Sequence, residues 1–167
     1  MAQLTLRKTG QILFPRNSTV GIDPGVSCGT AIYYGQKLYG LWTFSPYGLL
    51  RMMQNENFDL VVIEDSRLTS PIFTAKGQNQ ASALKIARNV GEVDCICKMV
   101  QDLCEANNFP IVQISPKDKG AKVNAEEFKA ITGWQGKTNQ HERDAAMVAW
   151  RFRRGGHQKT LDMIHES

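Results

Sequence analysis

The chain has 167 residues, a formal charge of +4, 42% hydrophobic residues and four cysteines. That length suits a single domain with a real core. The lack of a long apolar run excludes a transmembrane span, and the opening "MAQLTLRKTGQILFP" carries no secretory signal pattern. The expected setting is therefore cytoplasmic, with Cys28, Cys95, Cys97 and Cys104 as reduced core residues, since none has a partner at zinc-site spacing.

Residues 1–18 read as an N-terminal extension, in which "LTLRK" alternates like a short strand. "STVGID", "CGTAIYYG" and "KLYGLWTF" follow as three strands, with Gly35-Gln36 as the hairpin turn between the second and third. "PYGLLRMMQNEN" has helical spacing and opens on Pro46, which a first helical turn tolerates. "FDLVVIED" is a fourth strand, apolar on both faces as a parallel strand covered by helices is. Residues 71–79 form a loop. From about Asn79 to Asn107 a long helix carries the stripe Ala83, Ile86, Ala87, Val90, Val93, Ile96, Cys97, Val100 and Cys104. "FPIVQISP" is a fifth strand, "NAEEFKAIT" a short helix capped by Asn124 and ended at Gly133, and a last helix runs from about Gln140 to Arg154. The order β-β-β-α-β-α-β-α-α indicates an α/β domain with a five-stranded mixed sheet flanked by helices. It spans 19–154 and leaves 155–167 as a tail.

Two of these strands end in acids, Asp23 in "VGIDPG" and Glu64 in "VVIEDS". If the first three strands form an antiparallel meander, the fourth lies parallel to the first. The reversal of strand order between them is then a place where ligands bind at strand carboxyl ends. Either acid alone could be a turn residue, but together they mark one edge. His141 and Asp144, at i and i+3 near the start of the last helix, point from one helical face. They are either a capped surface turn or ligands for the same object. Four such groups suit divalent cations, which take carboxylates, waters and phosphate oxygens. A pair of cations can activate water against a phosphodiester. Between Lys117 and Lys159 stand ten Lys or Arg against five Asp or Glu, a balance that fits either a polyanionic partner or a solvated surface.

"GIDPG", "CGTAIY", "VVIED", "ARNVG", "ISPKDKG", "FKAITG" and "HERDAAMVAW" together resemble the RuvC Holliday-junction resolvases of the RNase H-like superfamily, over roughly Thr19 to Arg154. The resemblance implies an RNase H-like fold and a homodimer formed through the long helix. It also implies Mg²⁺ or Mn²⁺, two per active site, on Asp23, Glu64, His141 and Asp144, which act as both metal ligands and catalytic residues. The implied activity is paired nicking of four-way DNA junctions, leaving 5′-phosphate and 3′-hydroxyl ends. Lys122, Lys129 and Lys137 lie where resolvases place lysines near the scissile phosphate. Two departures stand out. Many family members have Asp at the position of His141, and imidazole suits Mn²⁺ better than Mg²⁺. No aromatic wedge follows the strand-four acid: Ser66, Arg67 and Leu68 stand there, and Phe73 comes later. Arg67 and Phe73 are the candidates for DNA contact in that stretch, while Asp65 is a rival to Glu64 as ligand. Other readings are a nuclease for RNA–DNA hybrids, flaps or other branched DNA, and a non-catalytic junction-binding protein. An actin-like or sugar-kinase ATPase needs a second such domain, for which the chain has no room.

Overall fold

The computed structural model describes residues 5–6, 12–13, 17–69 and 80–153, without the Gln80 side chain. Phe73, Arg154 and the tail at 155–167 lie outside the described residues. Of the N-terminal extension, Thr5–Leu6 and Ile12–Leu13 form a two-residue antiparallel ladder. The main elements are β1 (Ser18–Asp23), β2 (Cys28–Tyr34), β3 (Lys37–Phe44), α1 (Pro46–Asn55), β4 (Leu60–Glu64), a 3₁₀ turn at Ser66–Leu68, α2 (Gln80–Asn107), β5 (Ile111–Ile114), α3 (Ala125–Thr132) and α4 (Gln140–Ala149).

The five-stranded sheet has the order β3-β2-β1-β4-β5. The β1–β2 and β2–β3 pairs are antiparallel, while β4 runs parallel to both β1 and β5. This is the five-stranded mixed α/β sheet that the element order predicts, and its strand order agrees with the RNase H-like fold that the resemblance implies. Strand periodicity sorts its side chains to two faces. Val20, Ile22, Val61 and Ile63 pack with Leu49 and Met53 of α1 and with Ile96, Cys97, Val100 and Cys104 of α2. Val62, Ala31 and Tyr33 pack with Phe128 of α3 and with Ala145, Ala146, Val148 and Ala149 of α4.

Local chemistry sets the helix limits. The Ser45 side chain accepts from the Gly48 N–H ahead of Pro46. Asn124 with Glu127, and Asn139 with Glu142, form reciprocal capping boxes at α3 and α4, and Gly133 ends α3 in the left-handed conformation. Helix α4 is shorter than its sequence pattern predicts. It stops at Ala149 and tightens into turns in which the Phe152 and Arg153 N–H groups donate to the Ala149 carbonyl. The Arg153 guanidinium folds back over the Trp150 ring, 3.2 Å from its centroid, and donates to the Trp150 carbonyl.

Two further expectations are corrected. The apolar stripe of α2 is core only in its C-terminal half. Ala83, Ile86 and Val90 are half-buried and Ala87 is exposed, and Leu84 is 64% exposed. Cys95 is exposed, whereas Cys28, Cys97 and Cys104 are buried free thiols. Among the described residues no helix is long and apolar enough to cross a membrane.

Candidate active site

The parallel register that pairs Ile22 with Ile63 brings Asp23 and Glu64 to neighbouring ends of the central strands. Both acids share strand parity with Gly21 and Val62, so both face α4. What allows α4 to reach them is the absence of side chains beneath it. A Cβ on Gly21 would lie 2.8 Å from the Ala149 Cβ and closer still to the Ala145 carbonyl oxygen. A Cβ on Gly29 would collide with the His141 backbone, at 3.1 Å from its Cα and closer to its carbonyl. The helix therefore lies almost on the sheet backbone, with its first turn against the edge where the acids end.

That first turn is fixed by several hydrogen bonds. The Asn139 side chain accepts from the Glu142 N–H and donates to Thr43 Oγ1 (2.7 Å), and Thr43 in turn donates to Glu142 (3.3 Å). The Gln140 amide donates to Asp144 Oδ1 (2.8 Å), and Gln140 Oε1 accepts from Arg143 (2.8 Å). Arg143 also donates to the Val123 and Thr138 carbonyls. One guanidinium thus orients the amide that orients the buried Asp144 carboxylate, and it ties down the backbone on either side of α3.

The structure brings Asp23, Glu64 and Asp144 together around a group the sequence reasoning missed. Lys119 Nζ lies 2.5 Å from Glu64 Oε2, 3.4 Å from Asp23 Oδ1 and 3.6 Å from Asp144 Oδ2. Its side chain is only 10% exposed. Burial works against its charge, but the close contact with Glu64 and the charges of Asp23, Glu64 and Asp144 outweigh it and hold the lysine above its ordinary pKa. The one sequence signal for this role was its position in "ISPKDKG", directly after the fifth strand, whose end adjoins Glu64. His141 stands beside the cluster, with Nδ1 3.1 Å from Asp23 Oδ2 and its ring about half exposed.

Asp65 points away from the other acids. It caps the 3₁₀ turn, pairs with Arg67 at 2.7 Å and accepts from Gln113 (2.7 Å). Its burial would raise its pKa, but the hydrogen bonds and charge of Arg67 prevail and hold the carboxyl below its usual range. Arg67, a candidate DNA contact, is occupied in this pair and in donating to Gln101. Lys122, Lys129 and Lys137 are exposed and make no ion pair among the described residues.

The donor set fits a hard divalent cation. Three carboxylates from three elements converge on one positive charge, and the buried Glu64 Oε2 has no well-directed hydrogen bond despite the ammonium beside it. Among the described residues no group of three acidic, histidine or cysteine side chains closes to metal-ligating distance, and the Lys119 ammonium lies between the three carboxylates.

No protein-family model matches this chain, and no curated protein sequence is significantly similar to it. Solved structures are. T. thermophilus RuvC in complex with a Holliday junction substrate is similar with a TM-score of 0.53 and 17% identity, over 80% of this chain and 90% of that one. The Fowlpox virus resolvase in complex with Holliday junction DNA is similar with a TM-score of 0.50 and 13% identity, over 81% and 97%. At such identities the likeness concerns architecture, and it agrees with the strand order and helix placement: the chain has the RNase H-like fold.

Proposed function

We propose that this protein is a metal-dependent endonuclease that resolves four-way DNA junctions as a homodimer, each protomer nicking one strand to leave 5′-phosphate and 3′-hydroxyl ends. The observation that carries this reading is the convergence of Asp23, Glu64 and Asp144 on a single cation at the switch point of an RNase H-like sheet. Likeness to two resolvases solved with junction DNA supports the choice of substrate.

In this reading Asp23, Glu64, Asp144 and His141 hold Mg²⁺ or Mn²⁺, two per site. The bound metal supplies a water activated for attack on phosphorus and charge stabilisation at the leaving oxygen. The protein's own part is positioning. The strand ends fix Asp23 and Glu64, and Gln140 and Arg143 hold the Asp144 carboxylate in one orientation. His141 steadies the second oxygen of Asp23 from the solvent side, and it serves as ligand or proton acceptor only when neutral. Lys122, Lys129 and Lys137 contact backbone phosphates, which fixes position without reading sequence. The exposed Leu84 beside half-buried Ile86 on α2 supports dimerisation through this helix, and a two-fold particle offers two sites to two equivalent strands.

The test is a panel of synthetic four-way junction, linear duplex, flap and RNA–DNA hybrid, each with and without Mg²⁺ or Mn²⁺. Metal-dependent paired nicks in the junction are expected. Asp23→Asn, Glu64→Gln and Asp144→Asn should each abolish them while still binding the junction. Preference for the hybrid or flap, or wild-type rates in those variants, would overturn the assignment.

A further inference from the structure

We infer that Lys119 is a built-in competitor for the metal centre: its ammonium holds the place between Asp23, Glu64 and Asp144 that a divalent cation requires, so metal loads only as the lysine withdraws. This inference rests on the proposed reading of the cluster as a metal site and concerns how that site is regulated.

Geometry and charge carry it. The ammonium reaches all three carboxylates at 2.5–3.6 Å, and no other lysine among the described residues pairs with any of them. Its side chain is as well buried as the acids it touches, so this is not a surface lysine in passing contact. Counting these four side chains, one ammonium leaves two negative charges uncompensated, enough to attract a divalent ion and too few to hold it while the lysine stays. An oxygen 2.5 Å from an ammonium cannot also face a metal ion at ligating distance without bringing two cations together.

The backbone places Lys119 outside the regular elements. Lys119 follows a turn closed by the Asp118 N–H donating to the Ser115 carbonyl (2.8 Å). It precedes Gly120, whose φ of +90° is one that side chains rarely adopt. The lysine thus sits on a loop between β5 and α3, while the acids stand on strand ends and a capped helix. In the proposed displacement the acids stay on their strands and helix while the loop residue moves. Until metal arrives, the same contact keeps three converging carboxylates from repelling one another.

The experiment measures Mn²⁺ binding to the DNA-free full chain by calorimetry for wild type, Lys119→Met and Lys119→Arg, with Asp144→Asn to locate the site. Removing a like charge within about 4 Å should tighten binding by about tenfold or more. Lys119→Arg, which keeps the competing charge, should bind close to wild type. Without metal, Lys119→Met should melt at a lower temperature, and Mn²⁺ should raise its midpoint more than that of wild type. Equal or weaker binding by Lys119→Met, where wild type binds through Asp144, overturns this inference alone. No Asp144-dependent binding in any of the proteins overturns the metal reading and this inference with it. Should Lys119→Met fail to fold, wild type answers the question. Mg²⁺ titration should shift the Lys119 side-chain Cε–Hε resonance as the ammonium leaves, and an unmoved resonance overturns the inference.

Discussion

The two faces of the sheet are packed by different rules. Against α1 and α2 the sheet presents branched aliphatic residues to Leu49, Met53, Ile96 and Val100, an ordinary core in which burial supplies stability. Against α4 it also buries Val62, Tyr33 and Val148, but at Gly21 and Gly29 it meets Ala145, Ala149 and the His141 backbone directly, and there the contact gains closeness. All of Asp23, Glu64, Asp144 and Lys119 gather at the edge of this second interface. Both faces bury a core, but only the α4 face also positions the site, so changes at Gly21 and Gly29 and changes in the α1 and α2 core should have separable consequences.

The largest effect of a packing change on cleavage is expected at Gly29. Gly29→Ala puts a Cβ against the His141 backbone, which has no flexible end to give way. It should destabilise by about 1–3 kcal/mol through overpacking. By displacing the first turn of α4 it should also slow single-turnover cleavage by about 100-fold, the scale of a 1 Å misplacement. A variant that cleaves normally would dissolve the contrast between the faces.

Leu49→Ala probes the other face. The residue is wholly buried, so the loss should be about 2–5 kcal/mol by denaturant unfolding, with junction cleavage unchanged at temperatures where the variant stays folded. A cleavage defect there would mean that the two faces are mechanically coupled.

Arg143→Ala sharpens the comparison within the α4 face. Releasing Gln140 frees the Asp144 carboxylate to turn, and losing such an outer support should cost about 10–100-fold in metal affinity or rate. Arg143→Lys, which cannot hold Gln140, Val123 and Thr138 at once, should not restore it.

The smallest effect is a difference in thiol chemistry. Burial is the main cause that pushes Cys97 up to about 11 and Cys104 up to about 12, and it raises Cys28 as well. A raised pKa keeps the thiol protonated, so the native protein at pH 8 should be alkylated at the exposed Cys95, the other three reacting only on unfolding. The sign for stability follows. These thiols favour the folded state below the unfolded cysteine pKa of about 8.5, and the contribution is lost as pH rises through their folded values. Mass spectrometry after brief alkylation checks the first point, and melting temperature between pH 8 and 11 the second.

Much of the molecule was legible along the chain because its signals are local. Strand alternation, the turn at Gly35-Gln36, the Asn124 and Asn139 caps and the acids ending β1 and β4 all depend on residues within a few positions of one another. The i, i+3 spacing of His141 and Asp144 likewise follows from helix geometry alone. Where the reading went astray, the deciding contact was distant. Helical periodicity marks an apolar stripe along all of α2 without showing that its first half stays largely exposed among the described residues. Nothing in "VVIEDS" separates Glu64 from Asp65 beyond strand parity, until Arg67 and Gln113 take up the second acid.

Element order, the capped starts of α3 and α4 and the residue types at the acidic edge were thus determined by the sequence itself, because dihedral preference, capping and periodicity act over one or two turns. The tertiary structure alone decided how closely α4 could lie on Gly21 and Gly29, and which of several lysines entered the cluster. Lys119 is 96 residues from Asp23 along the chain and 3.4 Å from it in the fold. A charge separated that far in sequence finds its partners only after the sheet has paired and the helix has docked, so no local pattern could single it out.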